Sequence, residues 1–493
     1  MGNGCNPIIS TLNHNTIRMV KKRMYLLFLG LLSVCSGYTQ EQTGFTAISL
    51  NNLDAFINPG GNWSVASDAV ADIDKEGDLK PVSGTGVLIN TVSKKNRAHL
   101  VTKESFGDVE IELDFMMAKG SNSGIYLQGR YEVQLFDSWT ILQPTYSGCG
   151  GIYQRWDDKR PGINKGFEGT APLVNVARAP GLWQHLKIKF RAPQFNEKGE
   201  KITNARFETV YLNGVLVQQQ TALTGPTRSP LFEEERATGP LMIQGDHGNV
   251  AIRNIKYRAL SGDNSTPEKV RIVNPIIVNP GIKPYLLRSF LSYNNRMITH
   301  AISVGNPNGI NYSYDLKRGA LLQIWRGQFA DATDLWYERG EPYQRIVPLG
   351  SVITLSDAPS LAMLPDAVNT AWPDSVSFDE VQTKGYTLDG ARAPAYRYSI
   401  YDVSVTDKIF ASGSSGLVRE LMVANTSANL YHRIAAAKKI EQSKKGFYAI
   451  DDKSYYISID EKLQPFIRQA GANQELLIPI DKAGVAVTYS IIW

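Results

Sequence analysis

The sequence predicts an all-β protein, in which an antiparallel β-sandwich is followed by a second β-rich unit that we also expect to be sandwich-like. Short segments of alternating polar and apolar residues recur along the chain, and this is the pattern of strands with one buried face. The 42 Gly and 24 Pro residues mark turns between these segments. Neither βαβ alternation nor a helical period of about ten residues interrupts residues 45–260, which argues against an α/β fold.

Composition supports a globular chain of more than one domain. The 493 residues are too many for one compact core, and 43% hydrophobic with 20% charged residues is ordinary for a folded protein. The formal charge of +5 includes four basic residues of a segment that we expect to be removed, which leaves about +1. A nearly neutral mature chain gives no electrostatic reason to expect nucleic acid or anionic lipid as a partner.

Residues 1–39 are interpreted as a signal peptide with an upstream extension. Basic residues between Arg18 and Arg23 precede an apolar run from Tyr25 to Val34, which is the order of a secretory signal and too short to span a bilayer. We therefore expect export to the periplasm, the outer membrane or the extracellular space. Cys35 is a candidate for a lipid anchor, and the mature chain should contain no transmembrane segment.

The first domain is predicted to span residues 40–262. Val109 to Phe115 alternates strictly between apolar residues and carboxylates, and Trp183 to Phe190 alternates again. The Asn213-Gly214 pair suits a two-residue hairpin turn between two strands. About a dozen strands in this length predict two antiparallel sheets packed face to face.

Residues 263–284 are predicted to be a linker, because Pro recurs there, twice as an Asn-Pro pair. Residues 285–493 are predicted to form a second β-rich domain of unknown role. One short helix is predicted from Gln328 to Glu338. Two interpretations of the aromatic and Arg residues around Trp325, Arg326 and Trp336 stay open. They form either a surface that binds carbohydrate or protein, or a core with a buried Arg–Asp pair.

The strand from Tyr131 to Leu135 carries candidate functional residues. If its odd-numbered residues face the core, Glu132 and Gln134 share the opposite face. A carboxylate beside an amide suits binding of sugar hydroxyls and transfer of a proton, although the pattern equally fits a solvated strand face. Asp137 has the opposite parity and joins this pair only if the strand bulges or ends near Phe136.

Three other residues have reactive side chains. His247 lies in a turn after Gln244, where an imidazole can act as acid or base near neutral pH or can simply be exposed. His185 alternates with apolar residues and is interpreted as structural. Cys149 has no local base and stands among glycines, so we interpret it as a small turn residue rather than a nucleophile.

Seven motifs of this region occur in an order that resembles one known family. Each motif is weak alone, and their order is the stronger signal. They are Asn122-Ser123-Gly124-Ile125-Tyr126-Leu127, Tyr131-Glu132-Val133-Gln134 with Asp137, Cys149-Gly150-Gly151-Ile152-Tyr153, Gly181-Leu182-Trp183-Gln184, Leu212-Asn213-Gly214, Gln244-Gly245-Asp246-His247-Gly248 and Arg253-Asn254-Ile255. Together they resemble the 3-keto-disaccharide hydrolase domain over roughly residues 45–260. Residues 285–493 resemble a β-rich domain found beside c-type cytochrome modules in large exported bacterial proteins, but the sequence holds no Cys-x-x-Cys-His motif for covalent haem.

The resemblance implies a jelly roll of the concanavalin-like lectin/glucanase type. It also implies a hydrolase or lyase that cleaves the glycosidic bonds of 3-keto-glycosides. A ketone at C3 acidifies the C2 proton, so a base can remove it, the aglycone can leave C1, and water can add to the enone. This route needs one base, one acid and donors at the enolate oxygen, not two carboxylates at glycosidase spacing. The implied acid–base residues are Glu132 and His247 with Asp137 as partner, and the implied substrate-binding residues are Asn122, Gln134, Tyr153 and Gln244.

Two departures from the family pattern leave the substrate range open. Gly245 stands where a larger residue is expected before Asp246, and residues 157–160 enlarge the loop after Tyr153. No cofactor and no metal ligand are assigned, because no cluster has diagnostic ligand spacing. A divalent cation bound to the carboxylates stays open. The expected partner is a carbohydrate substrate. The alternative function is a non-catalytic, lectin-like carbohydrate-binding protein or a cell-surface scaffold, since one fold serves many functions.

Overall fold

Antiparallel strands make up almost all of the regular structure of the chain. The computed structural model describes residues 44–260, 274–337, 344–377, 379–425, 429–484 and 486–493. The predicted signal peptide, the candidate anchor Cys35 and residues 263–273 of the predicted linker lie outside the described residues. The all-β fold class is confirmed.

The first sandwich occupies residues 46–259. A short 3-10 helix lies at Gly162–Lys165. The strands are β1 (Thr46–Ala47), β2 (Phe56–Ile57), β3 (Trp63–Val70), β4 (Lys80–Asn90), β5 (Leu100–Phe106), β6 (Val109–Met117), β7 (Asn122–Leu127), β8 (Tyr131–Phe136), β9 (Arg155–Trp156), β10 (Gly166–Phe167), β11 (Trp183–Arg191), β12 (Gln194–Phe195), β13 (Lys201–Thr203), β14 (Ala205–Leu212), β15 (Val215–Leu223), β16 (Gly239–Ile243) and β17 (Val250–Ala259).

Two antiparallel sheets face each other across the core of this sandwich. The eight-stranded sheet has the order β15-β14-β11-β6-β17-β4-β3, with β1 paired to β17, and the five-stranded sheet has the order β2-β5-β16-β7-β8. Strands β9 with β10 and β12 with β13 form two-stranded ribbons. Strands adjacent in these sheets come from distant parts of the sequence, as β6 and β17 do, so the order of strands sets which side chains meet.

Alternation along the strands decides which side chains enter the core, as the sequence predicts. The eight-stranded sheet contributes Ile111 and Leu113 from β6, and the five-stranded sheet contributes Tyr131, Val133 and Leu135 from β8. Because successive side chains of a strand point to opposite faces, the residues between them point away from the core. Both outward faces of the sandwich therefore carry the polar residues of these strands.

The second unit begins with one short strand inside the predicted linker and continues to the last described residues. A short helix α1 lies at Thr333–Trp336, and a 3-10 turn lies at Glu461–Leu463. The strands are β18 (Ile277–Val278), β19 (Tyr285–Tyr293), β20 (Arg296–Gly305), β21 (Ile310–Asp315), β22 (Ala320–Asp331), β23 (Val347–Thr354), β24 (Leu361–Met363), β25 (Val381–Leu388), β26 (Pro394–Ile400), β27 (Val403–Ser412), β28 (Gly416–Val423), β29 (Leu430–Ala437), β30 (Ile440–Lys444), β31 (Phe447–Ile450), β32 (Tyr455–Ile459), β33 (Phe466–Ala470), β34 (Asn473–Pro479) and β35 (Ala486–Ile492).

Three antiparallel sheets build this unit. Their orders are β18-β22-β21-β20-β19 with β23 paired to β22, β24-β29-β34-β33, and β25-β26-β27-β28-β35-β32-β31-β30. The prediction of a helix from Gln328 to Glu338 is wrong over most of its described length. Strand β22 continues to Asp331 because it pairs with β23 along that length, and sheet hydrogen bonds override a weak local helical preference.

The aromatic and Arg residues of β22 are mostly core. Trp325 is fully buried and stacks on Phe329 at 5.8 Å. Arg326 is buried, but its two terminal nitrogens donate to the carbonyl oxygens of Ser414 and Trp493 rather than to an aspartate. The core interpretation therefore holds for Trp325, whereas the expected Arg–Asp pair is not formed at Arg326.

The two sandwiches pack against each other within one compact unit, Phe45–Trp493. Ile73, Ala179 and Leu182 of the first sandwich belong to the main hydrophobic core of the second. The indole nitrogen of Trp139 donates to the carbonyl oxygen of Trp493 at 2.7 Å. The division at residues 262 and 285 stays a prediction, since the structure joins the units through a shared core. None of the helices in the described part of the chain is long and apolar enough to cross a membrane.

Candidate functional site

A cluster of polar side chains lies on the face of the five-stranded sheet turned away from the core. In the β7–β8 ladder Glu132 stands opposite Tyr126, and Gln134 stands opposite Gly124, so these residues share one face. Strand β16 adds a third position, because the backbone N–H of Gln244 donates to the carbonyl oxygen of Gly124 at 2.9 Å. We call this surface the polar face, and it comprises Asn122, Gly124, Tyr126, Glu132, Gln134 and Gln244.

Glu132 lies at the floor of the polar face. Its side chain is only 2% exposed, so it does not belong to a solvated strand face. A Cβ atom at Gly124 would lie 2.1 Å from the Oε1 atom of Glu132. The glycine of this motif is therefore required by space, because any side chain there would displace the carboxyl group from its position.

The protonation of Glu132 is set by its surroundings. Burial raises its pKa to about 8, a hydrogen bond with Tyr126 opposes the shift, and the charge of Asp246 adds to it. No Lys, Arg or His among the described residues pairs with this carboxyl. A carboxyl group that loses hydration without gaining a cation keeps its proton. At neutral pH Glu132 is therefore mainly protonated and can donate a proton.

Amide side chains lie on the same sheet face as this carboxyl. The amide nitrogen of Gln134 donates to Oδ1 of Asn122 at 2.8 Å, which leaves the Asn122 amide nitrogen able to donate elsewhere. The Oε1 atom of Gln244 is buried and has no hydrogen-bond partner within the described part of the chain. Buried polar atoms without partners are costly and rare, so this oxygen marks a place where a ligand donor fits.

His247 lies at one margin of the polar face. Its Nδ1 atom is 2.6 Å from Oδ1 of Asp246 and 3.2 Å from Nε2 of Gln244. Asp246 also lies 4.0 Å from Nδ1 of His99. When Nδ1 of His247 donates to Asp246, its Nε2 atom is left as a proton acceptor. The imidazole is about half exposed, so a ligand can reach it.

Tyr153 lies at another margin. Its backbone N–H donates to the carbonyl oxygen of Glu132 at 3.2 Å, and its ring packs edge-on against Tyr146 at 5.4 Å. Burial raises the pKa of the Tyr153 hydroxyl, the charge of Glu132 adds to this shift, and a hydrogen bond with Arg228 opposes it. Arg228 in turn stacks over the ring of Trp156 at 3.9 Å, beside the enlarged loop at residues 157–160.

Asp137 is not part of this cluster. Its Oδ2 atom accepts the backbone N–H of Gly120 at 2.9 Å, and the residue lines a cavity against the second sandwich. Burial raises the pKa of Asp137, and the backbone N–H groups of Gly120 and Trp139 oppose the shift. Its assignment as a partner of Glu132 stays a prediction without a supporting contact among the described residues.

Cys149 is fully buried, and burial raises the pKa of its thiol to about 12. A thiol that cannot ionise is a poor nucleophile. This agrees with the interpretation of Cys149 as a small residue in a turn.

Carboxylates on the opposite outer surface are arranged differently. On the eight-stranded sheet, Glu112 accepts from Lys256 at 2.7 Å and from Lys187 at 3.4 Å, and Asp114 accepts from Nδ1 of His185 at 2.8 Å. Burial alone would raise the pKa of Glu112, but the hydrogen bonds and charges of the two lysines hold it below its usual value. We call this surface the ionic face. It comprises Glu110, Glu112, Asp114, His185, Lys187, Lys189, Glu208, Arg253, Lys256 and Arg258.

Sequence reasoning did not assign three residues that the structure places at the polar face. Tyr126 has the same parity as Asn122 and Gly124, so alternation could have identified it. Asp246 was recognised only as part of a motif, and its contact with His247 was not expected. Arg228 comes from a loop far along the chain and has no local signal in the sequence.

No group of three or more His, Cys, Asp or Glu side chains in the described ranges is arranged to hold a metal ion. The charge of Asp246, at the margin of the polar face, acts on Glu132.

Comparison with known proteins supports the motif-based resemblance. The family model of the 3-keto-alpha-glucoside-1,2-lyase-like domain matches residues 49–258. No curated protein matches this chain. The resemblance stated for residues 45–260 is confirmed, because the matched stretch covers nearly the same residues.

Three solved structures are similar over the first sandwich. A provisionally named glycosyl hydrolase of Parabacteroides distasonis is 27% identical with a TM-score of 0.28, covering 43% of this chain and 84% of its own. A second protein of that organism and description is 23% identical with a TM-score of 0.30, covering 44% and 100%. A carbohydrate binding module of Bacillus subtilis is 10% identical with a TM-score of 0.20, covering 41% and 99%. These TM-scores are too low to bear on function.

Proposed function

We propose that the first sandwich cleaves the glycosidic bond of sugars already oxidised to a ketone at C3. The reaction proceeds by removal of the C2 proton, loss of the aglycone from C1, and addition of water. The observation that carries the proposal is Glu132, a buried carboxyl that holds its proton near neutral pH on the sheet face that also carries the amides of Asn122 and Gln134. A proton donor with a pKa near the working pH is what departure of an alkoxide requires.

Glu132 acts as the general acid in this proposal. As the C1–oxygen bond breaks, its proton passes to the leaving oxygen. The Tyr126 hydroxyl, which donates to the carbonyl oxygen of Arg228 at 3.2 Å in this structure, turns to the carboxylate that remains and stabilises its charged form. The nearby charge of Asp246 disfavours that carboxylate. This repulsion drives reprotonation of Glu132 after each turnover.

His247 acts as the general base. Asp246 holds the imidazole through Nδ1, so Nε2 takes the proton from C2, and the electron pair of the C2–H bond moves toward the C3 ketone as an enolate. Collapse of the enolate forms the C1–C2 double bond and expels the aglycone. Water then adds its oxygen to C1 and passes a proton to the Glu132 carboxylate, which restores the acid. The half-exposed imidazolium exchanges its proton with solvent and protonates C2, so the sum is hydrolysis.

The remaining groups of the polar face position the sugar. The free amide nitrogen of Asn122 and the hydroxyl of Tyr153 are donors suited to the enolate oxygen. The buried Oε1 atom of Gln244, which has no partner in the described residues, is suited to accept a sugar hydroxyl. Gln134 orients Asn122 through its hydrogen bond.

The proposal is tested with a chromogenic 3-keto-glucoside in light and heavy water. The full chain should release the chromophore, and the sugar product should carry deuterium at C2, whereas the unoxidised glucoside should be inert. Release without deuterium at C2 would contradict the elimination route. Binding of the 3-keto-glucoside without release would support the lectin-like alternative, and neither binding nor release would leave the scaffold alternative.

A matched pair of histidines tests the role of His247. His247→Asn should lower kcat/KM by about 100-fold, as expected for loss of a general base. His185→Asn removes an imidazole on the ionic face that also contacts an aspartate, Asp114 at 2.8 Å, and should leave turnover unchanged. Equal losses in the two variants would show that the effect is structural.

We also propose that the protein is exported, on the strength of the signal-like order of residues 18–34 in the sequence. Fractionation of producing cells should find the chain outside the cytoplasm, with its N-terminus removed. Labelling with a radioactive fatty acid that Cys35→Ala abolishes would establish the lipid anchor, and retention of full-length chain in the cytoplasm would contradict export.

A further inference from the structure

Asp137 carries a carboxylate that the polar face does not use. It follows β8 directly, yet it lines a cavity between the two sandwiches that does not include Glu132. Its Oδ2 atom accepts one backbone N–H, that of Gly120. In the described part of the chain no Lys, Arg or His lies within ion-pair distance of it. The charge of Lys119 acts on it without an ion-pair contact. A largely buried carboxylate that is not held in an ion pair is typical of functional positions.

The cavity has the size of a small-molecule site. Its volume is about 560 Å³, which lies within the range of 300–1,000 Å³ that is usual for ligand pockets. The first sandwich contributes Lys119, Asp137 and Trp139 to its wall, and the second contributes Ser415, Phe447 and Ser458. Neither sandwich alone forms the site.

Specific contacts between the sandwiches hold the walls in place. The indole nitrogen of Trp139 donates to the carbonyl oxygen of Trp493 at 2.7 Å. Beside it, Oγ of Ser414 donates to the carbonyl oxygen of Thr140 at 3.0 Å. On another side, the hydroxyl of Tyr456 donates to the carbonyl oxygen of Pro180 at 3.2 Å. A ligand therefore meets a preformed cavity, which lowers the entropic cost of binding.

The lining combines the groups that bind polyhydroxylated molecules. The half-buried indole of Trp139 offers an apolar ring face for the C–H groups of a sugar, and the carboxylate of Asp137 accepts hydroxyl donors through charge-assisted hydrogen bonds. Ser415 and Ser458 supply hydroxyls. Lys119 and Lys445 of the lining are exposed, and Lys444 is paired with Asp72 at 3.1 Å and with Asp74, which also lines the cavity. Together with Asp137, three carboxylates thus stand against three lysines. This balance of charges favours a neutral ligand over an anionic one.

We propose that the cavity between the two sandwiches binds a neutral saccharide, at a site separate from the polar face. Asp137 and Trp139 hold the sugar, and the second sandwich completes the site. The second sandwich thereby acquires a role, which is to build a carbohydrate-binding cavity onto the first. The proposal does not depend on the reaction assigned to Glu132 and His247.

The experiment measures binding of maltotriose and cellotriose to the full chain by titration calorimetry. Asp137→Asn keeps the shape of the side chain but removes the charge, and Ser415→Tyr fills the cavity. Each should weaken binding of the preferred trisaccharide at least tenfold. Ser105→Tyr, at an exposed position on β5, and Glu132→Gln should each change the affinity less than twofold.

Three outcomes would overturn the proposal. Neither trisaccharide binds the wild-type chain, or both cavity variants bind as well as wild type, or Glu132→Gln abolishes the binding and so places it on the polar face. Tighter binding of glucuronic acid than of either trisaccharide would overturn the assignment to a neutral ligand. If Ser415→Tyr does not fold, as judged by its thermal unfolding, the isosteric Asp137→Asn variant decides.

Discussion

The two outward faces of the first sandwich both carry carboxylates from alternating strands, and the structure surrounds them in opposite ways. On the ionic face, strand β6 lies between β11 and β17, which place Lys187 and Lys256 beside Glu112. On the polar face, the neighbour of β8 is β7, which places Gly124 and Tyr126 beside Glu132. The pKa of Glu112 is consequently lowered, and that of Glu132 is raised to about 8.

This contrast separates a structural carboxylate from a candidate catalytic one. Ion pairs between neighbouring strands stabilise the sheet modestly, and a carboxylate held in such a pair is not available for catalysis. A buried carboxyl that lacks a cation destabilises the fold, and proteins retain such groups mainly at functional sites. The difference lies in the neighbouring strands, not in the strand that carries the carboxylate.

The largest effect that should distinguish the faces is on turnover. Glu132→Gln removes the proposed acid with little change of shape and should lower kcat/KM on a 3-keto-glucoside by about 1,000-fold. Glu112→Gln, the same substitution on the ionic face, should retain activity within about twofold, because its carboxylate is paired with Lys187 and Lys256, and with His185 at 4.0 Å, on the opposite outer surface. Steady-state kinetics with both variants check this. Similar activities of the two variants would show that the different surroundings of Glu132 and Glu112 do not matter for catalysis.

The next largest effect is on stability, where Glu132→Gln is expected to be an improvement rather than a loss. Because the pKa of Glu132 is raised to about 8 in the folded chain, the unfolded chain ionises first as pH rises, and the folded state loses stability between about pH 4.5 and 8. Glu132→Gln does not titrate there, so it should be more stable than wild type by on the order of 3 kcal/mol at pH 7. The advantage should vanish near pH 4.

Denaturant unfolding of wild type and Glu132→Gln across this pH range measures the difference. A constant difference at all pH values would mean that Glu132 is ionised in the folded chain. Such a result would exclude Glu132 as the proton donor.

A smaller effect is expected from substitution of Gly124, the glycine that leaves room for the carboxyl group of Glu132. Gly124→Ala introduces a Cβ that would lie 2.1 Å from Oε1 of Glu132, so the carboxyl must move, and kcat should fall by about tenfold or more. Gly281→Ala is the control, because a Cβ at that glycine meets no atom within 4 Å. A Gly124→Ala variant with wild-type kcat would show that the position of Glu132 is not critical for the reaction.

The smallest effect belongs to the ionic face. Glu112→Gln should lower the free energy of unfolding by about 1 kcal/mol at low salt, because it removes two partly exposed ion pairs. High salt should reduce this loss, since it screens charges near the surface. A loss that does not change with salt, measured by denaturant unfolding, would mean that packing rather than charge holds Glu112.

Much of the fold was predictable because it follows from local alternation. The core-facing residues of β6 and β8, the hairpin at Asn213-Gly214 and the absence of α/β organisation in the first sandwich were all predicted from patterns a few residues long. The prediction failed at residues 328–331, where pairing with β23 keeps the chain extended. The division into domains was predicted from the sequence pattern, and it stays a prediction because the two units share a core in the structure.

The candidate site was predictable only in part. The alternation of side chains along the strand correctly predicted that Glu132 and Gln134 share one face. It also indicated that Asp137 has the opposite orientation. The family resemblance brought in Asn122, Gln244, Tyr153 and His247, which the structure gathers at the polar face or its margins. Arg228 could not be predicted, because the loop that carries it reaches Tyr153 only through the tertiary fold.

The amino-acid sequence by itself determined the strands, their buried faces and the identity of the polar residues, since all of these depend on the two-residue period of a pleated chain. Only the tertiary structure decided which carboxylates meet lysines and which do not, and that Asp137 faces the second sandwich. The physical reason is that a charge responds to atoms within a few ångströms. Those atoms come from strands that are adjacent in the sheet and far apart in the chain.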